Sequence, residues 1–111
     1  MLLIVDDDDA IRETLALVLE DEGYQVRTAC DGLHAIESIS SELPCVILLD
    51  LMMPNMDGWQ VFEALQADPK LARVPVCVMT AVPDRAPTGA ACVLPKPLRL
   101  ETLLQAVRAH C

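Results

Sequence analysis

Three short apolar runs, each stopped by a polar residue, constrain this chain more than any other feature. Leu2 to Val5 runs into Asp6, residues 45–49 run into Asp50, and residues 76–79 run into Thr80. Aliphatic runs of this length without alternation read as strands covered on both faces. Helical spacing fills the intervals: Ile11, Leu15, Val18 and Leu19 recur on one stripe, and Leu33, Ile36 and Ile39 on the next. Such stripes mark amphipathic helices. Asp8 or Asp9 suits the N-cap of the first helix and Gly23 its end, while Asp31 with Gly32 opens the second and Pro44 closes the loop behind it. Residues 25–29 alternate polar and apolar, as an edge strand does, and residues 91–94 supply a short fifth strand. A third helix over residues 57–66 turns Val61, Phe62 and Leu65 inward, and a last one over residues 99–110 does the same with Leu100, Leu103, Leu104 and Val107.

Strands alternating with helices require right-handed crossovers, and hence a parallel sheet between two helical layers. The expected fold is a doubly wound α/β sandwich of five strands, one domain over residues 1–111, because this length leaves little room for a second core. One crossover is too short for an ordinary helix. Only residues 81–90 separate the fourth strand from the fifth, and they include Pro83, Pro87 and Gly89, so at most one helical turn is expected there.

Charge and cysteine content remove several function classes. Seventeen acidic residues against eight basic ones give a net charge of −9, which opposes binding to phosphate backbones, so direct nucleic-acid binding is not expected. No apolar run approaches the roughly 20 residues of a membrane span. Met1 to Val5 leads into four aspartates rather than a cleavable leader, so the expected location is the cytoplasm, without a membrane partner. Cys30, Cys45, Cys77, Cys92 and Cys111 are odd in number and form no C-x-x-C pair, so neither a disulfide framework nor a zinc site is signalled. Most are expected to be small buried hydrophobes. His34 and His110 lie on expected helices with no ligand partner at metal spacing.

The chemistry collects at one edge. In open α/β sheets ligands sit beyond the carboxyl ends of the strands, and there the sequence puts Asp6 and Asp7, Asp50, Thr80 and Lys96. Three converging carboxylates raise one another's pKa and cost stability, a cost that a divalent cation removes. Hard oxygen ligands with room for water and phosphate suit magnesium better than zinc. On this reading Asp7→Asn should stabilise the metal-free fold and weaken magnesium binding. An adjacent lysine and hydroxyl add a positive charge and a hydrogen bond for an anion, a set that suits phosphoryl transfer to or from a carboxylate.

The same residues carry a family resemblance. Leu3-Ile4-Val5-Asp6-Asp7-Asp8, Leu48-Leu49-Asp50-Leu51-Met52-Met53-Pro54, Met56-Asp57-Gly58, Pro75-Val76 to Thr80-Ala81, and Leu94-Pro95-Lys96-Pro97 together resemble the receiver domains of two-component response regulators, of the chemotaxis-regulator kind. The resemblance implies a sheet of order 2-1-3-4-5 with the fourth helix shortened or absent. It implies that Asp50 takes a phosphoryl group from the phosphohistidine of a sensor histidine kinase or a histidine phosphotransfer protein. The chain then catalyses its own phosphorylation, and its own dephosphorylation, rather than turning over a substrate as a conventional enzyme does. By the same resemblance magnesium is held by Asp7, by Asp6 mainly through water, by Asp50 and by the backbone carbonyl of Met52; Lys96 pairs with Asp50 or the phosphoryl oxygens, and the Thr80 hydroxyl turns toward the phosphate. Val93 stands where the family often has an aromatic residue, and Asn55, which tolerates left-handed backbone, replaces a frequent glycine.

Within that family the alternative is a docking module or phosphate sink without phosphorylation-dependent output. Other classes fit less well. A phosphatase of the haloacid-dehalogenase type expects an aspartate where Met52 stands, a nucleotide or flavin domain expects a phosphate loop where Asp6 to Asp9 would repel it, and an EF-hand needs acidic residues at alternate positions.

Overall fold

Strands without a polar face must be roofed on both sides, and this requirement sets the architecture. The computed structural model describes all of residues 1–111. Its elements run β1 (Leu2–Val5), α1 (Asp9–Asp21), β2 (Val26–Ala29), α2 (Gly32–Ser41), β3 (Ile47–Asp50), α3 (Gly58–Ala67), β4 (Val76–Thr80), a 3₁₀ turn (Pro83–Arg85), β5 (Cys92–Pro95) and α4 (Leu100–His110). All strands are parallel, in the order β2-β1-β3-β4-β5. Alternate residues of β1 point to opposite cores: Leu3 and Val5 pack with α2 and α3 residues such as Ile39, Val61 and Leu65, while Leu2 and Ile4 pack with Leu15, Leu19, Leu103 and Val107 of α1 and α4. The expected double winding and strand order are both present.

Helix starts follow the caps that the sequence offers. The Asp8 carboxylate accepts from Ile11 N–H, Asp31 from His34 N–H, and Asp57 from Gln60 N–H, with Gln60 returning a bond to the Asp57 amide. Gly23 follows α1 at φ +97°, and Asn55 takes φ +67°, the left-handed conformation expected of it. Two side chains differ from expectation. Leu33 and Leu100, each in the first turn of its helix, are exposed, and Ala35 fills the inward place on α2.

The short crossover holds a single 3₁₀ turn, as its prolines require. It replaces a helix with a strap: Trp59 Nε1 donates to the Arg85 carbonyl at 2.8 Å, and Ala86 and Ala90 pack on the core that contains Phe62. The aromatic residues of α3 thus hold the link that a longer helix would otherwise cover.

The cysteines depart most from the sequence reading. Cys45, just before β3, and Cys111, just after α4, form a disulfide with Cα atoms 5.5 Å apart, so Cys111 is not a free terminal thiol. Only Cys77 is a fully buried free thiol; it stands opposite Cys92 across β4 and β5, and the proximity of the two thiols raises the Cys77 pKa, with burial adding to the rise, and lowers that of Cys92.

Gly58 fixes how closely α3 approaches the end of β3. A Cβ there would lie 2.5 Å from the Asp50 carbonyl oxygen and 2.6 Å from Leu51 Cα, both backbone atoms that cannot step aside. Gly58→Ala should therefore cost about 2–3 kcal/mol of stability by overpacking. A denaturation midpoint equal to that of the unsubstituted chain would refute this close approach.

Candidate functional site

Four strands end at one edge of the sheet, and each delivers its polar group there. Asp6 follows β1, Asp50 ends β3, Thr80 ends β4 and Lys96 follows β5. Asp6, Asp50 and Thr80 are almost fully buried, whereas Asp7 is exposed. Lys96 Nζ donates to Asp50 Oδ1 at 3.1 Å and lies 3.8 Å from Asp6 Oδ2, so one ammonium stands between two buried carboxylates. Carboxylate oxygens of Asp6, Asp7 and Asp50 lie within 4.8 Å of one another.

The backbone holds this cluster in place. Asp6 Oδ1 accepts from Asp8 N–H at 2.9 Å, and Arg12 Nη1 donates to the Asp6 carbonyl at 2.8 Å. Asp50 Oδ1 also accepts from Met52 N–H at 3.4 Å, which draws the loop after β3 against the carboxylate. Lys96 N–H bonds the Thr80 carbonyl at 2.8 Å, tying the lysine to β4. The Thr80 hydroxyl accepts from Val82 N–H at 3.0 Å, directed into the strap rather than bonded to Asp50.

Burial raises both carboxyl pKa values above the ordinary range. For Asp50 the Lys96 hydrogen bond pulls in the opposite direction and Asp6 reinforces the rise; for Asp6 the Asp8 amide and Lys96 oppose it. Asp6 Oδ2 is buried without any hydrogen-bond partner. An orphaned buried carboxylate oxygen facing two further carboxylates suits a hard divalent cation, since such a group is costly without one. The buried carboxylate of the adjacent pair is Asp6, whereas Asp7, on which the sequence reading placed the substitution, is exposed.

Asp6→Asn should accordingly stabilise the chelator-treated protein by about 1 kcal/mol or more, and abolish most of the stabilisation that magnesium gives. A carboxyl whose folded pKa is raised contributes stability that is present below its unfolded pKa and lost as pH rises through the folded value. Acidification from neutral pH should then favour the fold at these two groups, less so in Asp6→Asn. Denaturation with and without magnesium at several pH values checks both effects, and a variant that matches the unsubstituted chain throughout excludes a strained Asp6.

The response regulator receiver domain model matches residues 2–108. The chain belongs to the receiver family. This receiver is 42% identical over 114 residues to the response regulator MprA of Mycobacterium ulcerans, covering 97% of the chain and 48% of that protein; the Mycobacterium tuberculosis relative of the same name is 41% identical over the same span. The receiver thus spans about half the length of the curated relatives it matches. Among solved structures it resembles the Vibrio cholerae chemotaxis protein CheY4, with a TM-score of 0.86 and 30% identity over 99% of this chain and 97% of that one. The receiver domain of NtrX from Brucella abortus, TM-score 0.89, is 24% identical over 99% of this chain and 97% of that one, and supports the fold alone. Membership agrees with a role in two-component signalling. No helix of the receiver is long and apolar enough to cross a membrane.

Sequence reasoning missed two features of this edge. His34 does have a potential ligand neighbour: the Cys30 Sγ lies 2.8 Å from His34 Nδ1. The spacing of four residues across a helix start carried that signal. Trp59 reads as a helix-face residue, and its bond to the strap depends on a turn that only the fold supplies.

Proposed function

We propose that this receiver, a single domain over residues 1–111, accepts a phosphoryl group on Asp50 from a phosphohistidine of a sensor histidine kinase or histidine phosphotransfer protein. The observation that carries the reading is the placement of Lys96 Nζ against both Asp50 Oδ1 and Asp6 Oδ2, with three carboxylates converging beside it. Lys96 and the Met52 amide both engage Asp50 Oδ1, which orients the carboxylate and leaves Oδ2 to attack. The Oδ2–phosphorus bond forms as the phosphorus–nitrogen bond breaks, and the imidazole leaves with the electron pair. Lys96, itself partly buried beside two buried carboxylates, then neutralises charge on the phosphoryl oxygens.

Asp6, Asp7, Asp50 and the Met52 carbonyl would hold magnesium, which when bound supplies charge neutralisation and alignment of the phosphoryl group. The Thr80 hydroxyl, which accepts from Val82 N–H, turns its own proton toward a phosphoryl oxygen, a local event that reaches the strap directly through residue 82. An apolar groove of 380 Å³ beside Lys96, lined by Ala10, Ile11, Leu15, Pro97 and Leu98, suits docking of the histidine-bearing partner. We assign the reaction to the cytoplasm, where such kinases present their phosphohistidine, with no role for direct nucleic-acid binding by this acidic chain.

Incubation with magnesium and a small acyl phosphate, followed by intact-mass measurement, tests the proposal. A gain of one phosphoryl group that is lost on chelation supports it. No gain from a folded, magnesium-binding protein, with either a small donor or a phosphorylated histidine phosphotransfer protein, would leave only the docking-module reading.

A further inference from the structure

A second convergence of ligand atoms lies at the β2–α2 junction. Cys30 follows the last residue of β2, Asp31 is the N-cap of α2, and His34 lies in its first turn. The Cys30 Sγ stands 2.8 Å and the Asp31 Oδ1 3.9 Å from the same ring atom, His34 Nδ1, and all three donors lie within 4.8 Å of one another. That shared atom decides between two uses of a Cys, His and Asp set. A nucleophile relay uses both imidazole nitrogens, one toward the thiol and the other toward the orienting carboxylate. Here both partners stand on the Nδ1 side of the ring, so the three donor atoms lie close enough together to face a common ion.

We infer that Cys30, Asp31 and His34 form a binding site for a borderline divalent cation, zinc in particular. With Zn–S about 2.3 Å and Zn–N about 2.0 Å, sulfur and nitrogen on a tetrahedral ion stand about 3.5 Å apart. The sulfur–nitrogen spacing of 2.8 Å is shorter than that figure and the nitrogen–oxygen spacing is 3.9 Å, so small side-chain adjustments that open the first admit the ion. A mixed sulfur, nitrogen and oxygen set selects zinc, as the all-oxygen cluster of Asp6, Asp7 and Asp50 does not. Asp31 is already oriented, because its Oδ1 accepts the His34 amide at 2.9 Å. His34 is well exposed, which gives the ion an entry path and leaves a fourth position for water.

The ion would sit beside the phosphoacceptor edge. The Ala29 carbonyl, one residue before Cys30, accepts the Asp6 amide at 3.2 Å. Gly32 approaches the Met56 carbonyl so closely that a Cβ would lie 2.8 Å from it, which couples the junction to the loop after Asp50.

Cobalt titration of the full chain, in excess magnesium to occupy the oxygen cluster, tests the site. One equivalent of cobalt should give a thiolate-to-metal charge-transfer band that zinc displaces. The band should vanish in Cys30→Ser, weaken in His34→Gln and in Asp31→Asn, which keeps the helix cap, and persist in Cys92→Ser. Circular dichroism confirms folding, with Cys30→Ala replacing Cys30→Ser if the latter unfolds. No band in the unsubstituted chain, a band surviving loss of Cys30, or one lost in folded Cys92→Ser would overturn the inference.

Discussion

Asp50→Asn should take up no phosphoryl group from an acyl phosphate under conditions that label the unsubstituted chain. The loss should be complete rather than partial, because an amide has no anionic oxygen to attack phosphorus, and the other carboxylates occupy different places around the same lysine. The variant should also remain folded. Asp50 is buried and its carboxyl is raised by that burial, so a neutral isostere removes a charge that the fold carries at a cost. Intact mass and a denaturation curve on the same sample separate the two effects. A phosphoryl gain on Asp50→Asn would move the acceptor elsewhere, with Asp6 and Asp7 the first places to look.

Loss of the Cys45–Cys111 bond should have the largest effect on stability. The link joins residues 66 apart in sequence, fastening the entry to β3 to the end of α4. Constraining an unfolded loop of that length corresponds to roughly 4 kcal/mol in the chain-entropy account. Reductant should therefore lower the denaturation midpoint of the unsubstituted chain sharply. Cys45→Ser should begin at the lower midpoint and be insensitive to reductant; equal midpoints for all three samples would show that the bond contributes nothing.

How much of this was legible in sequence varies with the range of the interaction. Strands such as Leu2–Val5 and Ile47–Asp50 declare themselves, because a run with no polar face has only one kind of burial available. Caps at Asp8, Asp31 and Asp57 are equally local. The convergence of Asp6, Asp50 and Lys96 could be anticipated because parallel strands all point their carboxyl ends the same way. Pairing of Cys45 with Cys111 could not, since the odd cysteine count and the spacing carry no connectivity. The cost at Asp6 rather than Asp7 depends on which of two adjacent carboxylates turns inward, and two consecutive aspartates offer no periodicity by which to choose. Leu33 and Leu100 mark the reverse error: each continues an apolar stripe into the first turn of its helix, yet stands exposed there.

The strap between β4 and β5 gives the protein an optical readout of its own state. Trp59 is the sole tryptophan, so emission excited selectively beyond the absorption of Tyr24 comes from one indole whose N–H is bonded to the Arg85 carbonyl. Val82, at the N-cap of the same 3₁₀ turn, donates its N–H to the Thr80 hydroxyl, the group proposed to turn toward the phosphate. Any displacement of the turn must change the polarity around that fluorophore. Signalling in this chain should therefore be followed in real time without a label, and phosphoryl gain with unchanged emission would mean that the turn stays still.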